Sequence, residues 1–149
     1  TQAFFEYLQE NMRNEVMIVM AYCSEGSEQK CIASALFFYN EEQLFGRFWG
    51  ALQEVSGLHF ECCYYQGIEY CIEHNLSHFD PGTQGEHKIS RGFEPTICHS
   101  QHWIAHPEFS EAIDEFLTVE KSDINNYVIQ ATEYLPFRNT NENTTQSAD

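Results

Sequence analysis

Apolar and polar positions fall in blocks along this chain, and the period changes from block to block. Phe4, Phe5, Leu8 and Met12 recur at the i, i+3/i+4 spacing of a helix with one buried stripe. Val16 to Cys23 is then apolar without a break, which predicts a central strand buried on both faces. The polar turn Ser24 to Lys30 leads into a second buried strand, Cys31 to Tyr39. Asn40 to Gln43 turns the chain again, and Leu44 to Gly50 reads as a third strand. Three strands joined by short polar turns predict an antiparallel meander. Ala51 to Gly57 reads as a loop.

The stretch from Leu58 to Pro95 is rich in aromatic residues and marked by glycines. Phe60, Tyr64, Ile68, Ile72 and Leu76 recur every fourth residue and predict one shared helix face. Tyr65, Glu69 and Glu73 fall on another. Asn75 suits the left-handed conformation that ends a helix. His78-Phe79-Asp80 predicts a short strand stopped by Pro81-Gly82. Thr83 to Pro95 reads as a polar loop carrying Glu86, His87, Lys88 and Arg91. Thr96 to Ile104 reads as a late strand, with Ile97, His99, Gln101 and Trp103 on one side. Pro107 starts a helix whose stripe is Phe109, Ile113, Phe116 and Leu117. Ser122-Asp123 caps a further helix through about Tyr134. Asn139 to Asp149 has no large apolar residue and predicts a disordered or loosely attached tail. Periodicity alone therefore gives an α+β domain over residues 1–138, built on an antiparallel meander, with a polar tail over 139–149.

Composition narrows the function classes. A chain of 149 residues suits one domain with one core. It has no apolar run long enough to span a bilayer and no visible secretion signal, so a cytoplasmic protein is expected. The formal net charge is −16 and the seven Lys and Arg are scattered, which argues against a nucleic-acid-binding face. The six cysteines fit no zinc-knuckle or CxxC spacing and read as reduced thiols. A hairpin disulfide between Cys23 and Cys31 is the alternative. His99, His102 and His106 with Cys98 invite a zinc reading, but on a strand His99 and His102 point to opposite faces. Polar packing around Trp103 is the plainer reading, and no metal site is assigned.

Four segments carry a resemblance: GRFWG at 46–50, LHFE at 58–61, CYYQGIEYCIE at 63–73 and GEHKISRGF at 85–93. With the strand ending in Asp80, they resemble the Fem-type (FemABX) branch of the GNAT-fold acyltransferases. More closely, they are similar to a FemAB-related group of bacterial N-acyltransferases linked to peptidoglycan biosynthesis. The resemblance runs from about Val16 to Phe137. It implies a GNAT-like fold lacking its first strand, and hence the C-terminal half of a longer protein. A sheet cut short in this way would expose an edge, through which chains could form a homo-oligomer. It also implies transfer of an acyl or aminoacyl group to an amine, on a small molecule or a cell-wall precursor. Fem-type enzymes use aminoacyl-tRNA and not CoA; the donor here stays open between aminoacyl-tRNA and acyl-CoA, with no certain cofactor. Any tRNA would be gripped by the missing half. A non-catalytic binding domain for an acyl or peptidoglycan-like ligand is the alternative from another class.

Acyl transfer needs a polarised carbonyl, an amine that loses a proton, and both held in line. The resemblance places the donor near Phe48-Trp49, His59 to Glu61 and Asp80 to Gln84. CoA-dependent members carry paired glycines at the helix start, whereas this chain has Glu61-Cys-Cys-Tyr-Tyr-Gln-Gly67, with an acid where phosphates would sit. Glu86, His87 and Lys88 put acid, imidazole and amine side by side; in an extended loop only Glu86 and Lys88 would cooperate. Arg91 stands in the basic position before Gly-Phe, and Lys88 and Arg91 are the candidate oxyanion or carboxylate ligands. Trp49, Glu61, Tyr64, Tyr65, Asp80 and Gln84 are the candidate substrate contacts.

Overall fold

The meander forms where its turns predict it, in a computed structural model that describes residues 1–82 and 85–137. The chain divides into two compact units, Thr1–Thr83 and Gln84–Asp149. The expected tail, 139–149, lies outside the described residues.

The first unit opens with helix α1 (Gln2–Asn11), followed by strands β1 (Val16–Glu25), β2 (Glu28–Tyr39) and β3 (Gln43–Ala51). A composite helix comes next, made of α2 (Leu58–Phe60), a π-helical turn (Glu61–Tyr65) and α3 (Gln66–His74). Strand β4 (His78–Asp80) closes the unit. The sheet order is β1-β2-β3-β4, with the first three antiparallel and β4 parallel to β3. This is an α+β fold with a mixed sheet. Val16 to Cys23 is thus not a central strand. β1 lies at the edge, pairs among the described residues with β2 alone, and buries none of positions 16–24. β2 is the central strand in burial as in order, with Ile32, Ala33, Ala35, Leu36 and Phe37 inside.

Alternation along the strands separates two faces. Met17, Val19 and Ala21 of β1 lie across from Phe37, Ala35 and Ala33 of β2, and these face the composite helix. The core there is Ala35, Phe37, Leu44, Cys62 and Cys71, with Phe79 and Trp49 packed against it. Ile18, Leu36 and Phe48 form a row on the other face, where Phe4 and Phe5 of α1 meet the Phe48 ring edge-on at 5.9 and 6.2 Å. The ladder between β2 and β3 skips Arg47: Phe37 pairs with Gly46 and Leu36 with Phe48. This bulge changes the parity of the strand. Leu44 and Gly46 face the helix before it, and Trp49 faces the helix after it. Without the bulge, Phe48 would point there instead.

The composite helix departs from its expected stripe for a similar reason. A π turn holds more residues than an α turn, so it rotates everything that follows. Cys62, Tyr64, Gly67 and Cys71 are buried, whereas Ile72 is 71% exposed. Tyr65, Glu69 and Glu73 lie outside as expected. Gly67 passes so close to β4 that a Cβ there would lie 2.6 Å from the Phe79 ring. Asn75 ends the helix at φ 56°, with the Leu76 N–H donating to the Cys71 carbonyl at 2.9 Å.

Cysteine chemistry follows from these faces. Cys31 pairs with Tyr22 and shares its face, so Cys23 points to the other and the hairpin disulfide does not form. Burial pushes the Cys62 and Cys71 thiols up, and at Cys62 the Glu61 carboxylate adds to the effect. Raised thiols stay protonated, and only the thiolate attacks. Brief alkylation at pH 8 should therefore label exposed Cys98 and spare Cys62 and Cys71 until the chain unfolds. Peptide mass spectrometry checks this; rapid labelling of Cys62 would contradict the packing described.

In the second unit, Glu86–Arg91 is a 3-10 helix rather than a loop, and α4 runs without interruption from Pro107 to Thr132. Ser122-Asp123 caps nothing, because no Gly or Pro interrupts the helix between Pro107 and Thr132. Its expected stripe is largely outside: Phe109 and Phe116 are exposed. Thr96 to Ile104 is irregular and mostly exposed, with no neighbouring strand among the described residues to pair with, and Trp103 is 87% exposed rather than packed.

Candidate functional site

Pairing between β3 and β4 stops early. It joins Gln43 to His78, Leu44 to Phe79 and Phe45 to Asp80, and β3 then runs on to Ala51 without β4. Beyond this end the loop 52–57 arches to Gly57, which takes φ 81° and starts the composite helix. The strand end, loop and helix start enclose a groove of about 690 Å³. Trp49, Leu52, Val55, Leu58, His59 and Phe60 supply its apolar and aromatic lining, and Gln53, Glu54 and Ser56 its polar groups. Polar and apolar groups share this lining about equally, so the groove suits a ligand that carries both.

Aromatic contacts fix the groove wall. The His59 ring stands edge-on to Trp49 at 5.5 Å, to Phe60 at 5.5 Å and to Tyr64 at 5.4 Å. Phe60 and Tyr64 stack at 6.0 Å. The bulge at Arg47 brings Trp49 to this side, and the π turn starts where His59 and Phe60 end. π turns occur often at functional sites, because they displace side chains from regular helical positions.

The sequence candidates separate accordingly. Trp49 lines the groove. Tyr64 is buried behind His59 and Phe60, where it supports the wall. Tyr65 is exposed to solvent, whereas Cys62 in the same turn is buried. The Glu61 carboxylate accepts a hydrogen bond from Gln66 Nε2 at 2.9 Å. Asp80 Oδ1 accepts from the Gly82 N–H at 2.8 Å, which turns the chain out of β4. Gln84 lies outside the described residues. Leu52 and Val55 were not singled out by the sequence; two apolar residues between Gly50 and Gly57, in a loop, are the signal that points to them.

Glu86, His87, Lys88 and Arg91 belong to the second unit. Their 3-10 helix has three residues per turn, so Glu86, His87 and Lys88 point in three directions instead of converging. Glu86 and His87 are exposed and Lys88 is 9% exposed. Lys88 and Arg91, three apart, share one side. Arg91 Nη1 donates to the His87 carbonyl at 2.7 Å, and Ser90 Oγ donates to the same oxygen at 2.9 Å, so Arg91 also braces its own turn. Gly85 is pressed against the His87 ring and takes φ 108°, a conformation glycine adopts without strain. Among the described residues, no three His, Cys, Asp or Glu are placed to hold a metal ion, and His102 instead meets Ser100 Oγ at 3.1 Å.

Comparison with known protein families matches residues 1–139 to the FemAB-like model, described as peptidoglycan biosynthesis/recognition. The chain belongs to the FemAB-like family. The match covers the groove and the 3-10 segment of this FemAB-like chain, as the sequence motifs implied. No curated protein and no solved structure matches it. Among the described residues, no helix of the FemAB-like chain is long and apolar enough to cross a membrane.

Proposed function

We propose that this FemAB-like chain is GNAT-like and serves acyl or aminoacyl transfer to an amine of a cell-wall precursor, with the Trp49–His59 groove holding the substrate. The observation that carries this reading is the groove itself. It opens where β3 runs on beyond β4, and its wall is aromatic and braced. Trp49 offers a flat apolar face for an acyl, peptide or sugar moiety, and Glu54 and Gln53 offer polar contacts at the rim.

In such a reaction the amine attacks the acyl carbonyl, a base takes the amine proton, and the ester or thioester oxygen or sulfur leaves. In the second unit, taken by itself, Glu86 and His87 are the proposed bases, and Lys88 and Arg91 the proposed cations for an oxyanion or a carboxylate. Glu61 near the helix start sets negative charge where a pyrophosphate would be held, which favours aminoacyl-tRNA over acyl-CoA as donor. With seven Lys and Arg against 23 Asp and Glu, this acidic chain would need surface from outside itself to grip tRNA.

Recognition without turnover is the second reading, favoured by the divergence of Glu86, His87 and Lys88 around their helix. Glu86→Gln separates the two. Glu86 is exposed, so folding should be unaffected. Under the transfer reading, product formation from a muramyl-peptide acceptor should fall by about 10²-fold or more, the usual worth of a general base, while acceptor affinity holds. Acceptor binding with no turnover from either donor would leave the recognition reading standing and remove the transfer one.

A further inference from the structure

The groove at the end of β3 brings titratable groups of its own. Among the described residues that line it, these are Glu54 and His59. A carboxylate is a weak base at neutral pH, whereas an imidazole changes protonation there and accepts a proton readily. His59 is half-buried, and Trp49, Phe60 and Tyr64 hold its ring edge-on at 5.4–5.5 Å. The orientation of the imidazole is therefore set within the first unit, before any ligand arrives. An imidazole has two ring nitrogens, so it can keep a neighbour at one and take a proton at the other. Its surroundings favour the imidazolium that results. β3 presents uncharged Trp49, the loop brings Glu54, and the helix brings Tyr64, Cys63 and the Glu61 carboxylate. No Lys or Arg occurs from Phe48 to His87.

We propose that His59 is the catalytic base of the groove, its imidazole taking the proton of the acceptor amine as the carbon–nitrogen bond forms. This rests on the transfer reading above. An ammonium that becomes an amide sheds two protons, one before attack and one as the bond forms, so the reaction needs two proton acceptors. Glu86 and His87 of the second unit are candidates for the first, and His59 serves the second. The free amine attacks the acyl carbonyl carbon, and its nitrogen gains positive charge. That charge is poorly solvated against Leu58 and Phe60, which eases loss of the proton. His59 takes the proton, and the ester oxygen or thioester sulfur leaves with the electron pair of the broken bond. The imidazolium then gives its proton to the leaving group or to water, and the neutral base is restored.

The test follows turnover of a soluble muramyl-peptide acceptor bearing a lysine side chain, with aminoacyl-tRNA and with acyl-CoA as donors. It compares the 149-residue chain with His59→Gln and His59→Ala. His59→Gln keeps a polar side chain against Trp49. It should lower kcat by about 10²-fold or more, the usual worth of a general base, while acceptor affinity by isothermal titration changes less than about threefold. Imidazole added at about 100 mM should restore His59→Ala at least about tenfold and leave the wild type unchanged, since the free base can enter the space left by the ring. A variant that had merely lost a wall support would not respond. His59→Gln turning over as fast as the wild type overturns the proposal and leaves the transfer reading standing. So do variants whose affinity and turnover fall together with no response to imidazole, because His59 then only supports Trp49. A wild-type chain that binds the acceptor and turns over with neither donor removes the transfer reading, and this base with it.

Discussion

Replacing Phe37 by alanine is expected to lower the stability of the first unit by about 3–5 kcal/mol, the usual range for emptying a buried aromatic site. Phe37 is 1% exposed at the middle of the central strand. It pairs across the ladders with Met17 and Gly46, and its ring meets Phe79 at 6.1 Å. Phe79 is itself pressed on Gly67, and Leu44, fully buried, lies beside that glycine. Truncation therefore removes contacts from the sheet and the helix together, and the site has little freedom to collapse. A small domain holds about 5–15 kcal/mol in total, so a large part would be lost. The urea midpoint should fall by about 2 M. Ile72→Ala is the control. The every-fourth-residue stripe puts Ile72 inside; the π turn puts it outside, where truncation should cost less than about 0.5 kcal/mol. If the two variants proved equally destabilising, the helix would have to be regular and the π turn wrong.

Replacing Trp49 by alanine is expected to weaken binding of a soluble muramyl-peptide precursor by about 30-fold, which corresponds to the roughly 2 kcal/mol typical of an aromatic anchor. The indole lines the groove and is held by His59, so its loss removes both contact area and the brace. Trp49 also packs against the core, and some stability will be lost with it. Leu52→Ser separates the two effects. Leu52 is 79% exposed on the same groove, so its substitution should leave folding intact while still weakening the ligand. Isothermal titration with both variants decides. Unchanged affinity in Leu52→Ser and Trp49→Ala alike would take the groove out of ligand binding.

Much of the first unit was legible because its signals are local. Short polar turns give the meander, Asn75 gives the helix stop, and Pro81 ends β4. The departures come from changes of phase that no local preference announces. The π turn at Glu61–Tyr65 moves Cys71 inward and Ile72 outward, although Ile72 is the more apolar candidate. β1 reads as central because periodicity reports apolar surroundings and not the number of neighbouring strands. Thr96 to Ile104 has the composition of a strand but pairs with none among the described residues. Ser122-Asp123 looks like a cap, yet a helix ends only where something interrupts it, and Pro107 to Thr132 contains no breaker. At the candidate site, Trp49 and the aromatic helix start were visible as residue types. The resemblance put Trp49 near His59 to Glu61, but periodicity did not, because that meeting depends on the bulge, and Leu52 and Val55 were hidden in what read as a connecting loop.

That bulge also bears on descent. A one-residue deletion inside a strand ordinarily turns every later side chain to the wrong face, so length differences between relatives collect in loops. β3 is an exception. Removing Arg47 would restore an even ladder and leave Phe48 and Trp49 on their present faces. Residue 47 is thus a place where lineages of this family can differ in length within the sheet itself. An alignment that forced such a gap into the neighbouring turn would match Trp49 with residues on the wrong side of the sheet.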